Sequence, residues 1–164
     1  MSNLRGIFRI KQVYEEQLSG NWSVKSDVWL APSPFNKSTP NTGYFGGGRL
    51  PSSYVATVDL VDYSNDTATA SPKGSLGLSR TFLGATGNSD FGYFGGGWSV
   101  YASNTNVFSR IDRIDYSNDT GTTPSKGPLS GIRRELTATG NSDFGYFGGG
   151  GPSTKSTVDR VDYS

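Results

Sequence analysis

The stretch Gly43-Tyr44-Phe45-Gly46-Gly47-Gly48 returns as Gly92-Tyr93-Phe94-Gly95-Gly96-Gly97 and again as Gly145-Tyr146-Phe147-Gly148-Gly149-Gly150, with starts 49 and 53 residues apart. Periods of this size mark one supersecondary unit, copied and stacked. An aromatic pair running into glycines suits a buried strand that ends where neighbouring backbones leave no room for a Cβ. Phe45, Phe94 and Phe147 are therefore expected at equivalent, buried positions of successive units.

Working outward, Ala-Thr-Gly-Asn-Ser-Asp-Phe leads into two of the three runs, at 85–91 and 138–144. After each run comes a segment of variable length and then Val58 to Ser64, Ile111 to Ser117 or Val158 to Ser164. Apolar residues alternating with Asp and Arg make this a strand with one wet face. Asn65-Asp66-Thr67 and Asn118-Asp119-Thr120 follow as turns. A Thr-rich stretch, Lys73-Gly74 or Lys126-Gly127, a Leu and an Arg (Arg80, Arg133) complete the unit.

Each full unit thus holds four short strands: A, Arg80 to Thr86; B, Phe91 to Gly95; C, about Phe108 to Ser117; D, Thr120 to Lys126. Four strands in a period of roughly 50 residues is the pattern of a propeller blade, so the fold class is all-β. From Gly43 the order runs B-C-D, A-B-C-D, A-B-C, ten strands or two and a half blades. A propeller closes with about four to eight blades. The expectation is an incomplete propeller, either a piece of a longer chain, the simpler reading, or one whose copies pool their blades. Tyr163 should then lie on a strand whose D partner comes from residues outside this sequence or from another chain.

Residues 1–40 stand outside the repeat, which occupies 41–164. Ile7, Ile10, Tyr14 and Leu18 would share one helix face, while Phe8, Ile10 and Tyr14 would share one side of a strand. We read an extended arm, followed by Trp22, Trp29 and a Pro-rich connector from Pro32 to Pro40. The arm either straps back onto its own domain or docks onto a larger assembly. Its side chains are apolar enough to need a partner yet follow none of the repeat's pattern. Ile7, Phe8, Ile10, Val13, Tyr14 and Trp22 are therefore expected to act as an assembly anchor contacting other chains.

Composition removes whole function classes. The 164 residues include no Cys and no His, which excludes disulfides, thiolate or imidazole metal sites and His-dependent nucleophile systems. A net charge of +1 without a long basic run gives no electrostatic case for nucleic acid. Ser2-Asn3-Leu4-Arg5 opens no apolar core of signal-peptide length and no run approaches a membrane span, so no membrane insertion is expected. Apolar residues are only 33%, but 13% aromatics and regular patterning argue against disorder.

Antiparallel order puts the A–B and C–D turns at one end of each unit and the B–C and D–A connections at the other. The A–B and C–D turns repeat almost verbatim, whereas the B–C loops span twelve, sixteen and ten residues and differ in every copy. These loops carry Tyr54, Trp98, Tyr101 and Phe108, rigid groups suited to stacking on a sugar or filling a partner's pocket. They form the candidate ligand face, weighed against a role in capping the inter-unit core. On the uniform end, Asp62, Ser64, Asn65, Asp66, Asn88 and Asp90 gather oxygens that calcium favours. No Glu closes a twelve-residue loop there, and Asx turns explain the residues, so no metal and no cofactor are expected.

An enzyme is the weakest class. Glu15, Glu16 and Glu135 are the only glutamates, no aspartate breaks the repeat pattern, and Gly46-Gly47-Gly48-Arg49 lacks the Lys-Ser/Thr of a phosphate loop. No catalytic residue is expected.

The glycine doublet closing strand B, the Tyr ending strand C and the Arg opening strand A resemble kelch repeats over roughly residues 41–164. The Trp usual in a kelch strand D is replaced here by Thr67-Ala68-Thr69 or Gly121-Thr122-Thr123, a lighter outer strand. The twice-occurring Gly-Asn-Ser-Asp-Phe-Gly-Tyr-Phe-Gly-Gly-Gly also resembles marine bacteriophage virion or tail-fibre proteins with a short N-terminal segment ahead of kelch-like repeats. This second resemblance implies a non-enzymatic structural protein of the virion, docked by its arm to other virion proteins. Its propeller would present a face to a host-surface glycan or protein, and the chain is expected to form a homo-oligomer. The alternative is a free-standing lectin-like or protein-binding kelch module, for which an arm of about 40 residues has no use.

Overall fold

The structure is a computed structural model that describes residues 41–65, 67–101 and 104–163, with only the backbone of Tyr101, Asn104 and Thr105. The six arm residues named above lie outside the described residues. The described residues are all-β, with twelve strands and no helix: β1 Thr42–Arg49, β2 Tyr54–Asp62, β3 Ser71–Pro72, β4 Gly84–Gly87, β5 Phe91–Gly95, β6 Trp98–Tyr101, β7 Asn104–Val107, β8 Arg110–Asp115, β9 Ser125–Pro128, β10 Thr137–Gly140, β11 Phe144–Gly148 and β12 Val158–Asp162. They form three small sheets in the orders β1-β2-β3, β4-β5-β8-β9 and β10-β11-β12, plus the hairpin β6-β7, and none closes on itself. Every pairing is antiparallel.

The ten strands read from the repeat are all present, in the order B-C-D, A-B-C-D, A-B-C. Strand B keeps its expected bounds in the second unit, and its register recurs: Phe45 faces Asp59, Phe94 faces Asp112, and Phe147 faces Asp159. Three bounds differ. Strand A starts at Gly84 rather than Arg80, because Arg80 spends its backbone on the preceding unit, donating N–H to the Val55 carbonyl and accepting from Gly48 N–H. Strand C stops at Asp115, whose carboxylate turns back to accept from the Ser117 backbone N–H and hydroxyl. Strand D is shorter and later than expected, Ser125–Pro128 and Ser71–Pro72, at the sheet edge where Pro is tolerated. Tyr163 lies one residue past β12, which forms an edge of the third sheet among the described residues. The long B–C loop of the second unit folds into a hairpin of its own, β6-β7, which its sequence does not announce.

Alternation along strand B decides how the sheets stack. In β1, Tyr44 and Gly46 face the second sheet, where Tyr44 stacks on Tyr116 at 4.5 Å and a Cβ at Gly46 would lie 2.8 Å from the Phe94 ring. In β5 the same two places face the third sheet: Tyr93 stacks on Tyr163 at 4.8 Å, and a Cβ at Gly95 would meet the Phe147 ring at 2.7 Å. Each unit therefore inserts its strand-B phenylalanine over the previous unit's glycine. Gly47 and Gly96 sit at φ +72 and +68, and a Cβ there would run into the carbonyl of Arg80 or Arg133, so backbone approach and conformation both require glycine.

This rule corrects one expectation. Phe94 and Phe147 are 2% and 0% exposed, but Phe45 is 61% exposed. It occupies the equivalent register position with no preceding described sheet to insert into.

A buried arginine fastens each junction. Arg80, fully buried, donates from Nη2 to the Phe94 carbonyl at 3.0 Å and places Nη1 2.9 Å from Asp112, also fully buried. In the third unit Arg133 is held by Asp159, the Thr157 carbonyl and Ser130 Oγ. Burial pushes the Arg80 guanidinium down from its ordinary value, against the pull of Asp112.

The stacked tyrosines make stability pH-dependent. Burial raises the hydroxyls of Tyr44, Tyr93, Tyr116 and Tyr163, with Tyr116 pushed up to about 12. A folded-state value above the unfolded value of about 10 means that the native state holds protons the unfolded chain has released. Their contribution is complete below about pH 10 and is lost as pH rises from there towards about 12. Melting temperature should fall across that window, and Tyr116→Phe should make the fall shallower. An equally steep fall in the variant would sink this account.

Candidate ligand face

The two ends of the units differ as the loop lengths predict. At the uniform end Asp62, Asp115, Asn88 and Asn141 turn their oxygens onto their own turns, while Asp119 accepts from the Tyr44 hydroxyl and pairs with Lys73. Asp62 accepts from the Ser64 backbone and hydroxyl, as Asp115 does from Ser117, which holds both carboxyls below their ordinary values. Asn88 Oδ1 accepts from the N–H groups of Asp90 and Phe91, and Asn141 does the same for Asp143 and Phe144. These are Asx turns, with side-chain oxygens bonded to their own backbone.

At the other end the B–C loops bring aromatic groups together. Trp98 opens β6, and its backbone exchanges hydrogen bonds in both directions with Thr81 just ahead of strand A. This pins the hairpin beside the first unit's loop, where Tyr54 meets the Trp98 ring edge-on at 5.2 Å. Phe82 tilts against Trp98 at 6.1 Å, and the Arg134 guanidinium lies 5.8 Å from the Trp98 ring centre. Trp98 Nε1 is buried and has no hydrogen-bond partner among the described residues.

Two clefts flank this hairpin. One, of about 490 Å³, is lined by Arg49, Leu50, Pro51, Ser52, Ser53, Tyr54, Ser79, Ser99 and Val100. The other, of about 530 Å³, is lined by Ala56, Leu76, Gly77, Leu78, Ser79, Ser99, Asn106 and Phe108. Ser79 and Ser99 border both. Leu50, Leu78, Phe82 and Val100 are exposed beside them. The combination of apolar walls, hydroxyls and one guanidinium suits a neutral polyhydroxylated or peptide ligand.

Of the four residues read from the sequence, Tyr54 and Trp98 are in direct contact and Phe108 lines the second cleft. Tyr101 ends β6, opposite Asn104, and its side chain lies outside the described residues. The sequence reading missed Phe82, Arg134, Leu50 and the Ser79–Ser99 border. Phe82 has φ +58, a left-handed backbone that a bulky side chain adopts only under constraint, and Glu135 repeats it at φ +57 in the next unit. Their shared place, two residues after Arg80 and Arg133, was the available signal. Among the described residues no group of three or more acidic side chains is placed to hold a metal ion.

No protein-family model matches this chain, and comparison with curated proteins returns no match.

Proposed function

We propose that the sheets are kelch-like blades of a β-propeller and that the protein is a non-enzymatic structural component of a phage virion, a tail fibre or appendage. In this reading residues 1–40 dock to other virion proteins, and the B–C loop end binds a host-surface glycan or protein. The observation that carries the reading is the asymmetry between the ends. One end repeats itself and closes the oxygens of Asp62, Asn88, Asp115 and Asn141 in Asx turns. The other varies in every copy and gathers Tyr54, Phe82 and Trp98 beside two clefts. Recognition surfaces concentrate on loops held by a rigid scaffold, and their energy concentrates in Trp, Tyr and Arg.

The test is binding of the purified protein to a glycan array and to candidate host cells. Trp98→Ala and Tyr54→Ala should each weaken binding about 30-fold or more, with unchanged far-ultraviolet circular dichroism. Deleting residues 1–30 should abolish incorporation into particles and leave ligand binding intact. If the deletion has no effect on incorporation while the isolated chain binds glycans, the free-standing lectin-like module is the correct reading.

A further inference from the structure

The stack of three sheets ends in two faces that have the shapes of its two internal junctions. At each internal junction three contacts recur. The later unit's strand-B Phe covers the earlier unit's Gly, the Tyr after strand C stacks on the earlier strand-B Tyr, and the first residue paired with that Gly is sealed beneath. Val58 and Ile111 are those sealed residues, paired with Gly46 and Gly95, and both are buried.

At the outer face of the first sheet, Phe45 and Tyr63 are exposed at 61% and 55%, so the inserting half of the junction is present and no described residue fills it. At the outer face of the third sheet the receiving half is present. Tyr146 and Gly148 take the places of Tyr93 and Gly95, and Val158, paired with Gly148, is 64% exposed. A Cβ at Gly148 would meet only Val158, and one at Gly149 would meet nothing within 4 Å, where Gly47 and Gly96 each meet an arginine carbonyl.

We propose that these two faces bind each other between copies of this chain, Phe45 of one copy over Gly148 of the next and Tyr63 stacked on Tyr146. The occupant is a second copy because the required partner surface is the other outer face of the described sheets, present on the same chain. The contact continues a sheet-to-sheet interface that the fold already makes twice. Such an interface is heterologous, using different patches on the two copies, and it closes into a ring when the rotation per copy allows. Two copies supply six sheets, within the roughly four to eight of closed propellers. The association stands on the stacking geometry and is independent of any virion role, while its closure into a ring rests on the propeller reading proposed above.

Sedimentation velocity and light scattering of the full chain test it. The wild-type protein should associate, with a two-copy ring as the expected species. Phe45→Asp and Gly148→Val should each weaken self-association about 10- to 100-fold, the loss expected from one buried aromatic group. Both positions lie on open faces, so circular dichroism and melting of the dissociated variants should match the wild type. A heterologous contact makes one further demand. An equimolar mixture of the two variants should form a one-to-one complex through the single junction that remains intact. A monomeric wild-type chain at high concentration overturns the proposal, whether the arm or further repeats cover the faces. Undiminished association of Phe45→Asp, or a mixture that stays monomeric while the wild type associates, overturns it equally.

Discussion

Replacing Asp112 with alanine is expected to cost about 3–5 kcal/mol of folding stability, measured by urea denaturation. Asp112 sits at the centre of the second sheet, fully buried, and its carboxylate makes two hydrogen bonds and an ion pair with the buried Arg80. Oδ2 accepts from the Gly77 backbone N–H at 3.2 Å and lies 2.9 Å from Arg80 Nη1 as an ion pair, and Oδ1 accepts from Arg110 Nε at 2.5 Å. Removing the carboxylate leaves the fully buried Arg80 guanidinium without its counter-charge. The loss therefore reflects an orphaned charge rather than the net value of the pair. Arg80→Met in the same background should recover part of the loss, since a buried pair replaced by apolar groups is often close to neutral. Asp159→Ala should cost less, because Arg133 keeps the Thr157 carbonyl and Ser130 Oγ, each at 3.0 Å, and Asp159 is partly exposed. Equal losses at Asp112 and Asp159, or a loss at Asp112 below about 1 kcal/mol, would show that burial of the pair is not what matters.

The three strand-B phenylalanines should separate into two groups. Phe94→Ala and Phe147→Ala are expected to cost about 3–5 kcal/mol each, because both rings are sealed between sheets against a glycine. The glycine presents no side chain that could move into the void, so the cavity term stays near its full size. Phe45→Ala is expected to change stability by no more than about 0.5 kcal/mol, as a surface substitution does. The comparison must be made at concentrations where the chain is monomeric, since association of the outer faces would bury Phe45 as well. A large loss at Phe45 in the monomer would mean that its face is covered within the chain itself.

Much of this architecture was legible in the sequence because it is local and repeated. The period and the order of the ten repeat strands, though not the added β6-β7 hairpin, followed from the recurrence of Gly-Tyr-Phe-Gly-Gly-Gly and from alternation around Val58-Asp59-Leu60-Val61, since side chains in a strand point to opposite faces in turn. The Asx turns at Asp62, Asn88, Asp115 and Asn141 were readable too, because an Asn or Asp side chain at a turn reaches the backbone N–H two residues on. The candidate face was readable only as a set of aromatics on loops of unequal length.

Tertiary structure decided what depends on neighbours distant in sequence. Phe45, Phe94 and Phe147 are identical in local sequence, yet one is exposed and two are sealed, because burial belongs to the junction and not to the residue. The hairpin that pins Trp98 against Tyr54, the left-handed turn at Phe82 and the approach of Arg134 likewise come from contacts between units. A repeat fixes each unit's internal pairing through its own hydrogen-bond register. Which faces are covered, and by what, follows only from how the units stack.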